Sequence, residues 1–339
     1  MRILFAGTPR PAVPSLEALV AAGHEVAAVI TRPDARAGRG RVMHESDVAL
    51  AAQRLSVPVI KPESLRTPEF EQWLADQAVD VVVVVAYGAM IPKRLLDAVP
   101  QGWLNLHFSL LPAWRGAAPV QHSICAGDDI TGATVFRIDS GLDTGPILSV
   151  YTEPVLETDT TETLMQRLSE HGADLMCRTL DAIAEGTVVA VAQSDSGISR
   201  APMIDMEQAR IDWSAPAVVV DRRIRAFTPA PGAWTMYQGQ RIKVTSGYPG
   251  RWSDGDLAPG EFSDRDGQVV VGTCAGILIL TAVKPAGKGV MPAVDWCRGL
   301  RTDTNGRRFD DLPREASPVS GSSAAGAASG TDAGAEDTP

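Results

Sequence analysis

The sequence predicts an α/β protein: an open, Rossmann-like parallel sheet domain, then a small β-barrel of OB-like type, then a disordered C-terminal tail. Short apolar runs alternate with helically spaced segments in the first part of the chain, which is typical of a parallel sheet with helices on both faces. After residue 210, short β-type runs separated by turn residues indicate a small barrel. Residues 315–339 contain too little apolar surface to form a core.

These changes of pattern set the expected domain boundaries. A chain of 339 residues exceeds the roughly 250 residues at which single cores stop growing, so two packed domains are expected. The sequence predicts a sheet domain at residues 1–190, a linker at 191–210, a barrel at 211–301 and a tail at 302–339.

The first predicted unit is a strand, a helix and a second strand. RILFAG is an apolar run that ends at Gly7, AVPSLEALVAAG has helical spacing and a terminal glycine, and EVAAVIT is another apolar run. The turn after the first strand lacks the three glycines of a dinucleotide-binding fingerprint, since Thr, Pro, Arg and Pro follow Gly7. A nicotinamide-dependent enzyme is therefore a weak alternative.

The same alternation continues along the chain. DVALAAQRL predicts a helix, VPVI a strand, and TPEFEQWLADQ a helix with Thr67 as its N-cap and Pro68 in its first turn. DVVVVVAYG predicts a fully buried central strand, WLNLH and ATVFRID further strands, and APVQHSICAG a helix between them. The segment from Asp159 to Gly186 predicts a long helix, with Asp159 as its N-cap and Glu162 completing a capping box.

The second domain begins with one predicted helix, SAPAVVVDRRIRAF. The runs RIKVTS, GEFSD, QVVVGT and GILILTAV then predict short strands with turns between them. A small barrel follows from this pattern, and the five-stranded oligonucleotide-binding type is one candidate.

The composition excludes several classes of protein. No run reaches the roughly 20 apolar residues of a membrane-spanning helix, and the N-terminal apolar run ends too early for a signal peptide. The four cysteines form no CxxC pair and the five histidines no HExxH pattern, so neither a disulfide framework nor a metal site is expected. We therefore expect a cytoplasmic, monomeric protein without a metal or a membrane partner.

One local cluster of charge stands apart from the net charge of −10. Arg32, Arg36, Arg39 and Arg41 lie within TRPDARAGRGR, opposed there by Asp34 alone. Composition favours a solvated loop, and a local basic contact surface for nucleic acid is the alternative.

Two polar side chains, Asn105 and His107, stand at the end of the predicted strand WLNLH. They are two residues apart and so share one face, at the edge where open parallel sheets bind ligands. An Asn amide can stabilise an oxyanion, and one such donor is worth about 10²- to 10³-fold in rate. A His can donate or accept a proton near neutral pH.

A second polar element, IDSGLDTG, follows the next predicted strand and contains Asp139 and Asp143. A carboxylate there could orient His107, raise its pKa through its opposite charge and relay a proton through water. Simple turn and capping roles are the alternatives, with calcium binding by the two aspartates less favoured. The pattern predicts a site but does not identify its substrate.

The stretches NLHFSLLPAWRGAAPVQ and GATVFRIDSGLDTGPIL, with 36 residues from His107 to Asp143, resemble the folate-dependent formyltransferases. LFAGTP, RPDARAGRGR, VVVAYG, ARIDWS and IRAFTPAPGAW fit those members of the family that act on methionyl-tRNA. The resemblance covers roughly residues 1–300. At the matching positions it implies a catalytic triad of Asn105, His107 and Asp143.

The resemblance also implies the substrates. The formyl donor is expected to be 10-formyltetrahydrofolate, used without a metal, and the acceptor the α-amine of initiator methionyl-tRNA. The arginine loop is expected to enter the acceptor stem and the barrel to contact the inner side of the tRNA. The residues expected at the folate are Ser109, Leu110, Leu111, Pro112, Tyr87, Gly88, Ala89, Met90, Ile91, Asp139, Gly141 and Leu142, and those expected at the tRNA are Arg36, Arg39 and Arg41.

In the implied mechanism, Asn105 and a protonated His107 stabilise the negative charge formed when the amine attacks the formyl carbon. Asp143 is expected to hold His107 and to take the amine's proton, by way of water. Departures from the family pattern lie at Phe108, where relatives carry a small residue, and at Met203 and Met206, where they carry lysines.

Three other functions are weighed against this one. They are formyl transfer to an amino-sugar nucleotide, hydrolysis of formylfolate, and RNA binding without catalysis on the same fold. The arginine loop and RGAAP favour a tRNA substrate, the first strand begins directly after Met1 where a hydrolase would carry a regulatory domain, and the intact triad disfavours a silent protein.

Overall fold

The structure, a computed structural model, describes residues 1–37, 42–250, 257–300 and 307–310. It confirms the expected fold class, since an open sheet rich in parallel strands is followed by an antiparallel, nearly closed barrel. The predicted disorder of residues 315–339 lies outside the described ranges.

The first part of the chain alternates strands and helices as expected. Its strands are β1 (Arg2–Gly7), β2 (Glu25–Ile30), β3 (Ala35–Ala37), β4 (Val42–His44), β5 (Val59–Ile60), β6 (Val81–Val85), β7 (Trp103–His107), β8 (Arg115–Gly116), β9 (Ile130–Arg137), β10 (Ile147–Pro154) and β11 (Arg200–Ala201). Its helices are α1 (Val13–Ala21), α2 (Asp47–Arg54), α3 (Pro68–Asp76), α4 (Lys93–Leu96), α5 (Pro119–Ala126) and α6 (Thr161–Ala184), with a 3-10 turn at Arg10–Ala12.

The main sheet has seven strands in the order β10-β9-β7-β6-β1-β2-β5. Strand β6 is central and buried throughout, as its five valines predict. Because side chains alternate along a strand, Val81, Val83 and Val85 enter one apolar core and Val82 and Val84 enter the core on the opposite face.

The sheet is not entirely parallel. Strands β5, β2, β1, β6 and β7 pair in parallel, but β9 is antiparallel to β7 and β10 is antiparallel to β9. Strand β10 was not predicted at all. Its burial alternates only weakly, because it forms an edge of the sheet and several of its side chains face solvent.

The N-terminus of α6 differs from the prediction by one residue. Thr160, not Asp159, is the N-cap, and the capping box is completed by Thr163 instead of Glu162. Asp159 is instead 2% exposed, and Arg167 donates to both of its carboxylate oxygens at 2.7 Å. The paired charge of Arg167 explains why this carboxylate is buried and does not cap the helix.

The second part of the chain starts with one helix and continues as short strands. Its elements are α7 (Ala217–Ala226), β12 (Trp234–Tyr237), β13 (Gln240–Gly250), β14 (Glu261–Arg265), β15 (Gln268–Gly272), β16 (Ile277–Pro285), β17 (Met291–Pro292), α8 (Ala293–Arg298) and β18 (Arg307–Arg308). The antiparallel order is β12-β13-β16-β15-β14-β18. Strand β12 and helix α8 lie outside the predicted set.

Residues 307–310 pack into the barrel although the sequence places them in the tail. Strand β18 pairs with β14, and Phe309 is 1% exposed. Its ring stacks on Phe262, with centroids 4.5 Å apart, and on Trp213 at 5.1 Å. The packing of the barrel therefore extends beyond the expected boundary at residue 301.

The two parts of the chain contact each other through α5, α6 and α7. The Thr161 hydroxyl donates a buried hydrogen bond of 2.6 Å to the Ala226 carbonyl, and Arg225 donates to the Asp159 carbonyl at 2.9 Å. Within the described ranges, no helix is long and apolar enough to cross a membrane.

Candidate active site

Asn105 and His107 lie at the carboxyl end of β7, between β6 and β9. Leu104 and Leu106 alternate with them and are buried in the core, which turns the two polar side chains to the other face. Among the described residues, the side-chain amide of Asn105 has no hydrogen-bond partner. An amide held on a rigid strand with its donors unused is suited to bind an oxygen of a substrate.

His107 is 6% exposed, and each of its ring nitrogens faces an oxygen atom. Its Nε2 lies 2.9 Å from the Trp114 carbonyl oxygen, and because a carbonyl can only accept, the Nε2 hydrogen is donated there. Its Nδ1 faces Asp143 Oδ2 at 3.8 Å, which is longer than a hydrogen bond. A neutral His107 therefore turns the lone pair of Nδ1 toward the carboxylate of Asp143.

The pKa of His107 is lower than expected from the sequence. Burial lowers it, because a charged imidazolium loses its hydration, while Asp143 and the Trp114 carbonyl raise it. The net shift is downward from the ordinary value of 6.5. The carboxylate thus acts in the expected direction, but the opposing effect of burial on the pKa is larger, which favours the neutral ring.

Hydrogen bonds within the loop that carries Asp143 hold the loop in its turn conformation. Asp139 Oδ1 accepts from the Gly141 N–H at 2.9 Å and from the Thr144 hydroxyl at 2.7 Å. A side chain at Gly145 would lie 1.8 Å from the Arg137 carbonyl oxygen, so only glycine fits there. The expected turn role of Asp139 is thus present, and no group of three or more potential metal-binding side chains occurs among the described residues.

Asp143 itself is fixed in an uncommon conformation. Its φ is +53°, in the left-handed region, and its carboxylate accepts from the Gly116 N–H at 2.8 Å. That bond comes from strand β8, 27 residues earlier in the chain. The structure therefore brings Asn105, His107 and Asp143 to one edge of the sheet, as the sequence predicts.

The SLLP segment, which is expected to contact the folate, is fixed by hydrogen bonds of its own. The buried hydroxyl of Ser109 donates to the Ala113 carbonyl at 2.6 Å, and Thr134 joins the Ser109 carbonyl and the Leu111 N–H. Leu110 packs on Gly132, where an added side chain would approach it to 2.5 Å. Pro112 follows Leu111 directly, and Phe108 is buried in the main core, so its bulk fills the interior.

A cavity of about 170 Å³ opens beside the segment that follows β6. Tyr87, Ala89 and Met90 line it together with Arg32 and the chain at 62–66. Tyr87 is buried, which raises the pKa of its hydroxyl, and its carbonyl accepts from Thr8 at 2.9 Å. The lining also contains Arg32, Glu63, Ser64 and Arg66, so its walls offer both polar and apolar groups to a heteroaromatic ring. Gly88 and Ile91 lie outside this lining. In the loop that carries Asp143, Gly141 and Leu142 are exposed.

The expected tRNA-binding arginines are only partly described. Arg36 lies exposed in the β3–β4 hairpin, while Arg39 and Arg41 fall outside the described residues. Asp34, the acid that opposes them in the sequence, accepts a 2.6 Å ion pair from Lys61. Lys61 also pairs with Glu45 at 2.6 Å, so one cation is shared between two carboxylates at the base of the hairpin.

Sequence reasoning missed three partners of the site: the Trp114 carbonyl, the Gly116 N–H and the side chain of Gln193. The first two are main-chain groups, which carry no signal of their own in a sequence. Gln193 lies in the expected linker, where a single polar residue is unremarkable.

Comparison with known protein families gives two matches that together span most of the chain. The family described as formyl transferase matches residues 1–180, and the formyl transferase C-terminal domain matches residues 203–301. A methionyl-tRNA formyltransferase of Mycobacteroides abscessus is 55% identical over 303 residues, covering 89% of this chain and 98% of that one. Another methionyl-tRNA formyltransferase, of Streptomyces coelicolor, is 50% identical, and the match covers 92% of this chain and 100% of that one.

Solved structures share the fold at low identity. HypX from Aquifex aeolicus, solved in complex with tetrahydrofolic acid, has a TM-score of 0.61 at 19% identity and covers 87% of this chain and 46% of that one. WlaRD, a sugar 3N-formyl transferase solved with dTDP and 5-N-formyl-THF, has a TM-score of 0.63 at 16% identity. The match covers 85% of this chain and 99% of that one.

Proposed function

From the premise that this chain belongs to the formyl transferase family, we propose that it transfers the formyl group of 10-formyltetrahydrofolate to the α-amine of initiator methionyl-tRNA, for translation initiation. The observation that carries this proposal is the identity of 50–55% to methionyl-tRNA formyltransferases over nearly their whole length. The folate, when bound, supplies the formyl carbon that the amine attacks.

Asn105 acts on the formyl oxygen. Its side-chain amide has no hydrogen-bond partner among the described residues and is carried by strand β7 of the main sheet. It can therefore donate a hydrogen bond to an oxygen that gains negative charge. Such a donor stabilises the transition state without reorganisation, because the strand already holds it in place.

His107 and Asp143 move the proton. The low pKa of His107 leaves its Nδ1 free to accept a proton from the attacking amine, and the Asp143 carboxylate 3.8 Å away then stabilises the imidazolium. The same Nδ1 can return the proton to the departing nitrogen of the donor. This assignment replaces the protonated His107 of the sequence interpretation.

The cavity beside Tyr87 supports a folate at this edge of the sheet. Its lining of Tyr87, Ala89 and Met90 belongs to the segment at which the family resemblance places the pterin. The polar and apolar groups of this lining can bond to and pack against a heteroaromatic ring.

The arginine loop supports a nucleic-acid acceptor. Arg36 is exposed, and the carboxylate of the neighbouring Asp34 is paired with Lys61, so the Arg36 guanidinium can contact a phosphate. Arg39 and Arg41, on the same loop, are proposed to contact phosphates of the tRNA acceptor stem.

The test is transfer of label from 10-formyltetrahydrofolate to charged initiator methionyl-tRNA, run beside charged elongator methionyl-tRNA and a reaction without tRNA. We expect labelling of the initiator only. In Asn105→Ala, kcat should fall about 10²- to 10³-fold. Gln72→Ala, an exposed change on α3, is the matched control and should retain the wild-type rate.

Each other outcome contradicts the proposal in its own way. Formate released without tRNA would identify a hydrolase, and labelling of an amino-sugar nucleotide would identify the other acceptor class. Undiminished activity of Asn105→Ala would remove Asn105 from the reaction, and tRNA binding without any turnover would indicate a non-catalytic RNA-binding protein.

A further inference from the structure

Gln193 lies in the chain segment between the two domains, yet its side chain reaches the loop that carries Asp143. Its Nε2 donates to the Asp143 carbonyl and to the Gly145 carbonyl, each at 2.8 Å. Its Oε1 accepts from Arg115 Nε at 3.1 Å and from Arg115 Nη2 at 2.6 Å. All four contacts agree on one orientation of the amide, because carbonyls only accept and a guanidinium only donates.

The segment around Gln193 is itself anchored on both sides of the site. Val191 exchanges two main-chain hydrogen bonds, of 2.7 and 2.8 Å, with Ile147, directly beyond the Asp143 loop. Farther along, the Ser199 hydroxyl accepts from the Trp114 N–H at 2.8 Å, and β11 pairs with β8. The segment therefore joins the Asp143 loop to the 114–116 segment.

These two segments determine where the carboxylate of Asp143 lies. The Gly116 N–H holds its Oδ2, and Gln193 holds its main-chain carbonyl, so the residue is fixed at both ends. Asp143 has a φ of +53°, a conformation that costs free energy in a non-glycine residue and persists only when its surroundings impose it.

We propose that Gln193 is a positioning residue for formyl transfer, which holds the backbone of Asp143 so that its carboxylate faces Nδ1 of His107 across 3.8 Å. This inference rests on the proposed function. Gln193 acts through Asp143 and touches neither substrate.

The test compares Gln193→Met, which keeps the length of the side chain without its hydrogen bonds, with Gln193→Glu. The glutamate can still accept from Arg115, but it places carboxylate oxygens against the carbonyls of Asp143 and Gly145. Gln208→Met is the matched control, since Gln208 is exposed in the same segment and its side chain bonds only to the main chain of Asp205.

In both Gln193 variants, kcat should fall about 10- to 100-fold, as expected for a catalytic group displaced by a fraction of an ångström to 1 Å, with both KM values nearly unchanged. NMR titration of Gln193→Met should show a pKa of His107 lower than in the wild type, because the Asp143 carboxylate that raises it has moved. Gln193→Glu adds a second carboxylate near the ring and is compared in kcat alone. Gln208→Met should match the wild type in kcat and in the His107 titration.

Wild-type kcat in folded Gln193→Met, or in Gln193→Glu, would overturn the proposal, and so would a loss of kcat with an unchanged His107 titration. A wild-type protein that transfers no formyl group would contradict the proposed function instead, and the titration would still test whether Gln193 positions Asp143.

Discussion

At the scale of single residues, the central balance is between burial and a neighbouring carboxylate at His107. Burial destabilises the imidazolium, and Asp143 stabilises it from 3.8 Å. The net result is a pKa below 6.5. The lowered pKa favours the neutral ring, which can accept a proton, and Asp143 stabilises the charged form that results.

Replacing Asp143 by asparagine should lower the pKa of His107 further. The carboxylate is one of the groups that raise this pKa, so its loss leaves burial less opposed. The measurement is a titration of the His107 ring signals by NMR in both proteins. The signal of His24, whose pKa depends on its own burial, the N-terminus and Asp181, should shift at the same pH in the two proteins and serves as the internal control. A higher pKa in Asp143→Asn would show that the carboxylate does not act on His107 as described.

At the scale of elements, the junction between β10 and α6 depends on one arginine. Arg167 bonds Glu153, which is 4% exposed, and Asp159, which is 2% exposed. Burial alone would raise the pKa of both carboxyls, but their hydrogen bonds, with those from Arg167 the largest, lower it below the ordinary value. Two buried carboxylates remain charged because one guanidinium pairs with both.

Arg167→Met should destabilise the fold by about 3–5 kcal/mol at pH 7, because it leaves buried carboxylates without their cation. The lowered carboxyl pKa values mean that the stabilisation by Arg167 is present above pH 4.5 and is lost as the pH falls through the folded values. The difference in free energy of unfolding between the variant and the wild type should therefore shrink at acid pH, which denaturant titrations at several pH values would measure.

The control for that series is Arg178→Met, an exposed change on the same helix. It should alter the free energy of unfolding by less than about 0.5 kcal/mol at every pH. An equal loss in both variants would mean that the effect comes from the helix surface and not from the buried carboxylates.

At the scale of the whole molecule, the packing of the barrel extends beyond its expected boundary at residue 301. Phe309 completes a cluster of stacked rings with Trp213, Phe262 and Trp296. The relatives match 89–92% of this chain while nearly their full length is covered. The barrel therefore uses residues 307–310.

Two truncations should separate these parts. A chain ending at Leu300 loses Phe309 from its packed site and should be destabilised by about 3–5 kcal/mol, as for deletion of a buried aromatic ring. A chain ending at Arg314 should keep wild-type stability and formyl transfer. Urea unfolding followed by tryptophan fluorescence measures the first effect, and equal stability of the two truncations would contradict the role of Phe309.

Much of the fold could be predicted because its signals are local. The valines of β6 indicate a strand buried on both faces. Thr67 and Pro68 indicate the start of α3, and Thr67 caps this helix as expected. Edge elements gave weaker signals. Strand β10 was missed because one face is solvated, and the cap of α6 was placed on Asp159 because nearby Thr and Asp are equivalent in pattern.

The sequence by itself determined that Asn105 and His107 share a face at the end of a strand, because side-chain alternation depends only on the local backbone. The pattern offered Asp139 and Asp143 as carboxylates for His107, and the resemblance to formyltransferases selected Asp143. Only the tertiary structure decided that the net shift of the His107 pKa is downward, since burial arises from every element packed around it. It alone also showed that Gln193 bonds the Asp143 loop, a contact across 50 residues of chain that no local pattern encodes.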